Sequence, residues 1–192
     1  MKNLIVLVFI LIAKITFAQQ KDTVGLNTPF INGEVVYQKV FSAPNKSTAQ
    51  LFSNAQLWFI KHYRNPNIQI QDEATGRVVG SSVELLTFKG MLGIDGTFDT
   101  NMAIQIDCKN GRYRARIFNI VIKAEDANKV KSFINAEQLM YDLVGIKINA
   151  ALVNNANPFN KNQSKRALQS LNILVDNVMS SINQTMNDSD NF

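Results

Sequence analysis

Gln105, Asp107, Arg114, Arg116 and Phe118 are the residues of this chain whose types and spacing come closest to a binding chemistry. Arg114 and Arg116 sit two residues apart on a β-rich run, so their planar guanidinium donors suit a carboxylate or a phosphate. Phe118 and Ile120 extend the same face as apolar surface. The competing interpretation is structural. Asp107 and Arg114 would then be an ordinary cross-strand pair on a solvated face, worth at most about 1 kcal/mol, and residues 125–160 would cover Phe118 and Ile120.

Catalysis has fewer residues to work with. His62 is the only histidine and Cys108 the only cysteine, which excludes a His-rich or Cys/His zinc set. A Ser-His-Asp triad would have to run through His62, and that residue falls on a predicted helix among Trp58, Phe59 and Tyr63, where it reads as a satisfied helix-end residue. Asp95, Asp99 and Asp107 cluster near one strand. A carboxylate pair flanking a bond can cleave glycosides, but acids near turns usually only solvate the surface. The glycines of Gly90–Gly96 (GMLGIDG) match neither the phosphate-loop nor the dinucleotide pattern and read as a flexible hairpin connection. The sequence therefore offers no catalytic motif, no metal site and no cofactor site.

The elements that must position these residues start at Asn110-Gly111. Asn-Gly between two β-rich runs suits a two-residue type I′ turn, in which both positions take positive φ. This sets a register pairing Lys109 with Arg112, Cys108 with Tyr113, Asp107 with Arg114, Ile106 with Ala115, Gln105 with Arg116, Ile104 with Ile117 and Ala103 with Phe118. The pleat then puts Met102, Ile104, Ile106, Cys108, Tyr113, Ala115 and Ile117 on a core face. Cys108 accordingly reads as a small buried hydrophobe. Gln105, Asp107, Arg114, Arg116 and Phe118 point the other way.

Around that hairpin, Glu34–Phe41 alternates as a first strand, and Asn45 or Ser47 can cap a helix over about Thr48–Arg64. Its apolar stripe is Leu51, Ala55, Trp58, Phe59 and His62, widened by Leu57 and Ile60. Strands follow over Asn67–Asp72, with Ile68 and Ile70 in alternation, and over Arg77–Phe88, bent near Gly80. Glu125-Asp126 can open a short helix through Ile134, residues 135–153 keep no single period, and 154–158 break the chain. A last helix over Ser164–Met186 carries Leu168, Leu171, Leu174, Val175, Val178, Ile182 and Met186 at helical spacing. The expected architecture is α+β. An antiparallel sheet of about five strands, in the order β-α-β-β-β-β, carries the long last helix and Trp58 on one face. Residues 19–33 read as a flexible arm, 34–186 as one domain and 187–192 as a disordered tail.

Residues 1–18 read as a secretory signal peptide. A basic start, the apolar run Leu4–Ala13 and small residues up to Ala18 place cleavage before Gln19. The apolar run is about half the length a spanning helix needs, so an uncleaved anchor is the lesser alternative, with Lys14 its one support. Cleavage leaves 18 basic against 15 acidic residues, a net charge of about +3 with no basic stripe, which argues against nucleic acid as the partner.

The opening strand, the helix with Ala49, Ala55 and Trp58, the run Ile68-Gln69-Ile70-Gln71-Asp72 with Gly76 and Gly80 after it, and Gly111-Arg112-Tyr113-Arg114 together resemble an exported bacterial family catalogued as domain of unknown function 4468. The resemblance covers about residues 34–124. It implies a TATA-binding-protein-like fold, a bacterial source and therefore a periplasmic or extracellular location in a Gram-negative cell. It implies no activity and no functional residue, and a fold does not fix a function. The expected function is a non-catalytic envelope domain that binds a small ligand or an envelope protein through Gln105, Asp107, Arg114, Arg116 and Phe118. The alternative is a carboxylate-based envelope hydrolase using Asp95, Asp99 and Asp107.

Overall fold

The computed structural model describes residues 26–63, 66–89, 95–125, 131–144 and 159–188. Its frame is a long hairpin of β6 (Asp95–Lys109) and β7 (Arg112–Glu125). All seven pairs expected from the Asn110-Gly111 turn are present. The turn itself differs from the expected one. Gly111 has φ +73°, while Asn110 keeps a negative φ, as in a type II turn. The Asn110 side chain is engaged elsewhere, its Oδ1 accepting from the backbone N–H and the hydroxyl of Thr48, at 2.9 Å each. The Gly111 N–H donates to the Lys46 carbonyl at 3.0 Å. The turn is thus built into the start of the neighbouring helix.

That helix is α1 (Thr48–His62), capped by Ser47 in a capping box with Gln50, which satisfies two backbone donors at once. It ends two residues before the expected Arg64. Its buried face is Leu51, Phe52, Ala55, Trp58 and Phe59. Ile60 is 60% exposed rather than packed, because it lies one residue beyond Phe59, about 100° further round the helix.

The sheet has six strands rather than about five, in the order β3 (Tyr37–Ser42), β7, β6, β5 (Arg77–Lys89), β4 (Asn67–Asp72), with β8 (Lys131–Asn135) also paired to β7. All pairings are antiparallel. β8 replaces the helix expected through Ile134. Ile134 is buried opposite Ile122, while Phe133 lies opposite Lys123 on the outer face; this is a strand's two-residue alternation. The expected strand Glu34–Phe41 is divided at Val36 into β2 (Glu34–Val35) and β3. β2 pairs with β1 (Phe30–Ile31). The end of the expected arm is therefore packed: Leu26 and Thr28 are buried, and Asn32 and Gly33 take φ +54° and +83°, the type I′ signature.

A helical layer lies on one face of the sheet. It comprises α1, α2 (Ala136–Val144) and α3 (Lys161–Asn187). Leu168, Leu171, Val175, Val178, Ile182 and Met186 of α3 bury against the same sheet face as Trp58, together with Ile104, Ile106 and Ile117. Trp58 Nε1 donates to Ser181 Oγ at 2.8 Å, fixing α1 to α3. At Gly80, where a bend is expected, β5 pairs with β6 without interruption, and any Cβ there would stand 2.6 Å from the Phe59 ring. Residues 1–25, with the expected signal peptide and the first seven residues of the arm, lie outside the described residues, as do 64–65, 90–94, 126–130, 145–158 and 189–192. β5 and β6 pair up to Lys89 and Asp95; most of the expected hairpin connection Gly90–Gly96 lies outside the described residues.

Candidate functional site

The helices occupy one face of the sheet, and the described residues leave the other uncovered. Val83, Leu85 and Phe133 there are 56%, 65% and 48% exposed. An antiparallel sheet tolerates such a face when its outer positions are polar; this one is partly apolar, which marks it out.

The expected binding residues all lie on this side, in two unlike groups. In the first, Asp107 is the centre of a closed cluster. Arg77 Nε donates to its Oδ1 and Arg114 Nη2 to its Oδ2, both at 2.7 Å. Gln105 Nε2 donates to both oxygens, at 3.0 and 2.8 Å. Burial pushes the Asp107 pKa up, but the bonds from Arg77, Arg114 and Gln105 outweigh it and hold the carboxyl below its ordinary value. The structural interpretation of the Asp107–Arg114 pair therefore holds, with Arg77 as a third member that the hairpin alone does not disclose.

The second group is Arg116 and Phe118. The Arg116 guanidinium lies over the Phe118 ring, 5.5 Å from its centre. Its Nε is buried and has no hydrogen-bond partner among the described residues. A buried donor left unpaired costs about 1–3 kcal/mol, so Arg116 is the exceptional cation of the face.

Its surroundings follow from a bulge. The β6–β7 register shifts between Asn101 and Ala103, and on β7 the extra residue falls at Asn119, which takes φ +51°. Each such residue slips the alternation by one. Beyond it Ile120, Ile122 and Ala124 turn inward and are buried. The expected outward Ile120 is thus corrected: it is core, and Phe118 is the last apolar residue of the first phase. On the edge of β7, β3 pairs as far as Tyr37 with Ile117, and β8 begins with Asn135 opposite Val121. Phe118, Asn119 and Ile120 have no ladder partner on that side.

A cleft of about 600 Å³ opens at this gap, lined by Glu34, Arg116, Phe118, Asn119, Asn135 and Glu137. Glu137, in the first turn of α2, accepts from the Val35 N–H at 2.9 Å and so holds β2 against that wall. The Phe30 ring meets Tyr141 edge-on at 5.3 Å, securing the same hairpin to α2. Sequence reasoning missed Glu34, Asn119, Asn135 and Glu137. The available signal was the spacing of Ile117 and Ile120, three residues apart, which no unbroken strand can place on one face.

The other expected chemistry is not assembled. Asp95, Asp99 and Asp107 lie on one face of β6, but their spacings of four and eight residues separate them by about 13 and 26 Å. A glycosidase pair stands about 5–9.5 Å apart. His62 is stacked on Trp58 of the same helix, 5.0 Å between ring centres, and its Nδ1 is 3.1 Å from Ser181 Oγ of α3, a contact that serves the α1–α3 junction. Cys108 is buried, and burial pushes its thiol up to about 12, so it is protonated at neutral pH. Among the described residues no group of three or more His, Cys, Asp or Glu side chains could hold a metal, and no helix is long and apolar enough to cross a membrane.

A six-stranded antiparallel sheet with helices on one face makes this an α+β protein of TBP-like fold. The family model described as "Domain of unknown function (DUF4468) with TBP-like fold" matches residues 37–123, bearing out the resemblance read from the sequence over about 34–124. A TBP-like protein from Parabacteroides distasonis superposes with a TM-score of 0.65 at 18% identity, over 85% of this chain and 99% of that one. A DUF4468 family protein from Bacteroides ovatus does so with a TM-score of 0.63 at 22% identity, over 91% of this chain and 99% of that one. At these identities the likeness shows the fold alone. No curated protein matches the chain.

Proposed function

We propose that this protein is an exported, non-catalytic binding domain of the Gram-negative cell envelope, and that the Arg116–Phe118 end of its uncovered sheet face takes up an anionic group of its ligand or partner. Export rests on the first eighteen residues. The binding assignment rests on one observation: Arg116 is half-buried over Phe118, with a buried Nε that no described residue satisfies. A charged donor held this way gains most from a carboxylate or phosphate brought in from outside. It projects from a paired strand rather than a loop, so little entropy is lost on binding. Arg114 supports it less, since one edge of its guanidinium is occupied by Asp107.

The test is capture from an envelope extract by the mature wild type and by the double variant Arg114→Ala with Arg116→Ala. The expected result is loss of the captured species with an unchanged circular dichroism spectrum. Equal capture by both proteins would reject this face. N-terminal sequencing of the native protein tests export: Gln19 as first residue is expected, and intact Met1 in most molecules would contradict it.

A further inference from the structure

We propose that the cleft at the break in the β7 edge binds a short peptide with free termini, its carboxylate on Arg116 and its ammonium towards Glu34 and Glu137. The inference rests on reading the Arg116 end of the sheet as a binding surface, and it names the ligand class.

Charge selects the class. The cleft carries one guanidinium with an unsatisfied donor and two carboxylates. Neither Glu34 nor Glu137 forms an ion pair with a described cation, whereas Asp107 forms two. A phosphate or a dicarboxylate would meet Arg116 favourably and the two glutamates unfavourably. A simple cation would meet the reverse. A zwitterion with its charges at opposite ends suits both, and capture of termini by fixed charges is a recurring mode of peptide recognition.

The edge selects a peptide over a free amino acid. Phe118, Asn119 and Ile120 lack a ladder partner between the ends of β3 and β8. Three residues of strand span about 10 Å, the length of a di- or tripeptide. Main-chain groups at that gap, with the Asn119 and Asn135 amides beside it, offer donors and acceptors to peptide units. A volume of about 600 Å³ lies within the range of about 300–1,000 Å³ typical of small-ligand sites.

The test is titration calorimetry on the mature protein with trialanine, N-acetyl-trialanine, trialanine amide and inorganic phosphate. Trialanine should bind. Blocking the carboxylate as the amide, or replacing Arg116 with Ala, should each weaken binding about tenfold or more, the loss of one charge-assisted contact. Arg116→Lys, which keeps the charge but removes Nε, should recover only part of it. Glu34→Gln and N-acetylation should each weaken binding a few-fold. Folding of each variant is checked by circular dichroism. Equal affinity for trialanine and its amide, displacement of trialanine by phosphate, or no binding of trialanine at millimolar concentration would each overturn the assignment. If trialanine fails while capture from envelope extract still depends on Arg116, the peptide falls and the binding surface stands; loss of both removes the surface as well.

Discussion

The two halves of β7 carry similar sequences to opposite ends. From Arg112 to Phe118 the strand alternates without interruption, and the odd positions Tyr113, Ala115 and Ile117 face the core. From Ile120 to Ala124 the even positions do so instead. The first half is paired to β3 and the second to β8. The bulge at Asn119 is all that separates them. One residue in αL thus exchanges the faces of a strand, divides its edge between two partners and leaves the cleft between. A single inserted residue costs little backbone energy but redirects every side chain after it.

The largest effects should come from reversing that comparison in the core. Ile117→Ala and Ile122→Ala should each cost about 2–5 kcal/mol in denaturant unfolding, since both side chains are fully buried. An unbroken strand would put Ile122 in solvent and make its truncation nearly neutral. A large loss at Ile117 with none at Ile122 would therefore break the account of the bulge.

A smaller effect is expected at the turn residues. Gly111→Val and Asn119→Val should each cost about 1 kcal/mol or more, because a β-branched residue resists positive φ. Asn119→Gly should cost less than Asn119→Val, since glycine takes αL freely. The reverse order in thermal melts would contradict a positive φ at the bulge.

The Asp107 cluster, which joins β5 and β6 to the first half of β7, should respond to pH. Its folded pKa is held below the ordinary 3.8, so its contribution is fully present above that value and fades as pH falls through the lower, folded one. Asp107→Asn should be less stable than wild type by about 1–3 kcal/mol at neutral pH. The difference should shrink in acid, below about pH 4. A difference that grows on acidification would contradict the cluster.

How much of this was legible follows the same division. Turn chemistry and alternation agree over Lys109–Ala103 and Arg112–Phe118, so the register and the core face could be read residue by residue. Past Phe118 the alternation slips, and continuing it sends Ile120 to the wrong side. β4 repeats the lesson: its register shifts between Ile68 and Ile70, leaving Ile68 against the core and Ile70 at 47% exposure, although the sequence shows them in step. The type I′ geometry expected at Asn110-Gly111 is found instead at Asn32-Gly33. Asn110-Gly111 has positive φ only at the glycine, where tertiary bonds from Thr48 claim the Asn side chain. Asn32-Gly33 has positive φ at both residues, in a segment whose polar composition reads as an arm. Of the candidate site, Arg116 and Phe118 were visible as types on a strand. Their cleft was not, because its walls come from β2, β8 and α2, which no local pattern brings together.

The central claim is that Arg116 serves a ligand rather than the fold. Thermal melting and ligand capture, measured together on Arg116→Ala, test it most directly. The unpaired buried donor costs stability and offsets the contact with Phe118, worth about 0.5–1 kcal/mol, so the account predicts a melting temperature close to or above that of wild type with ligand capture lost. A melting temperature lowered by several degrees, with capture intact, would make Arg116 a structural residue and contradict the account.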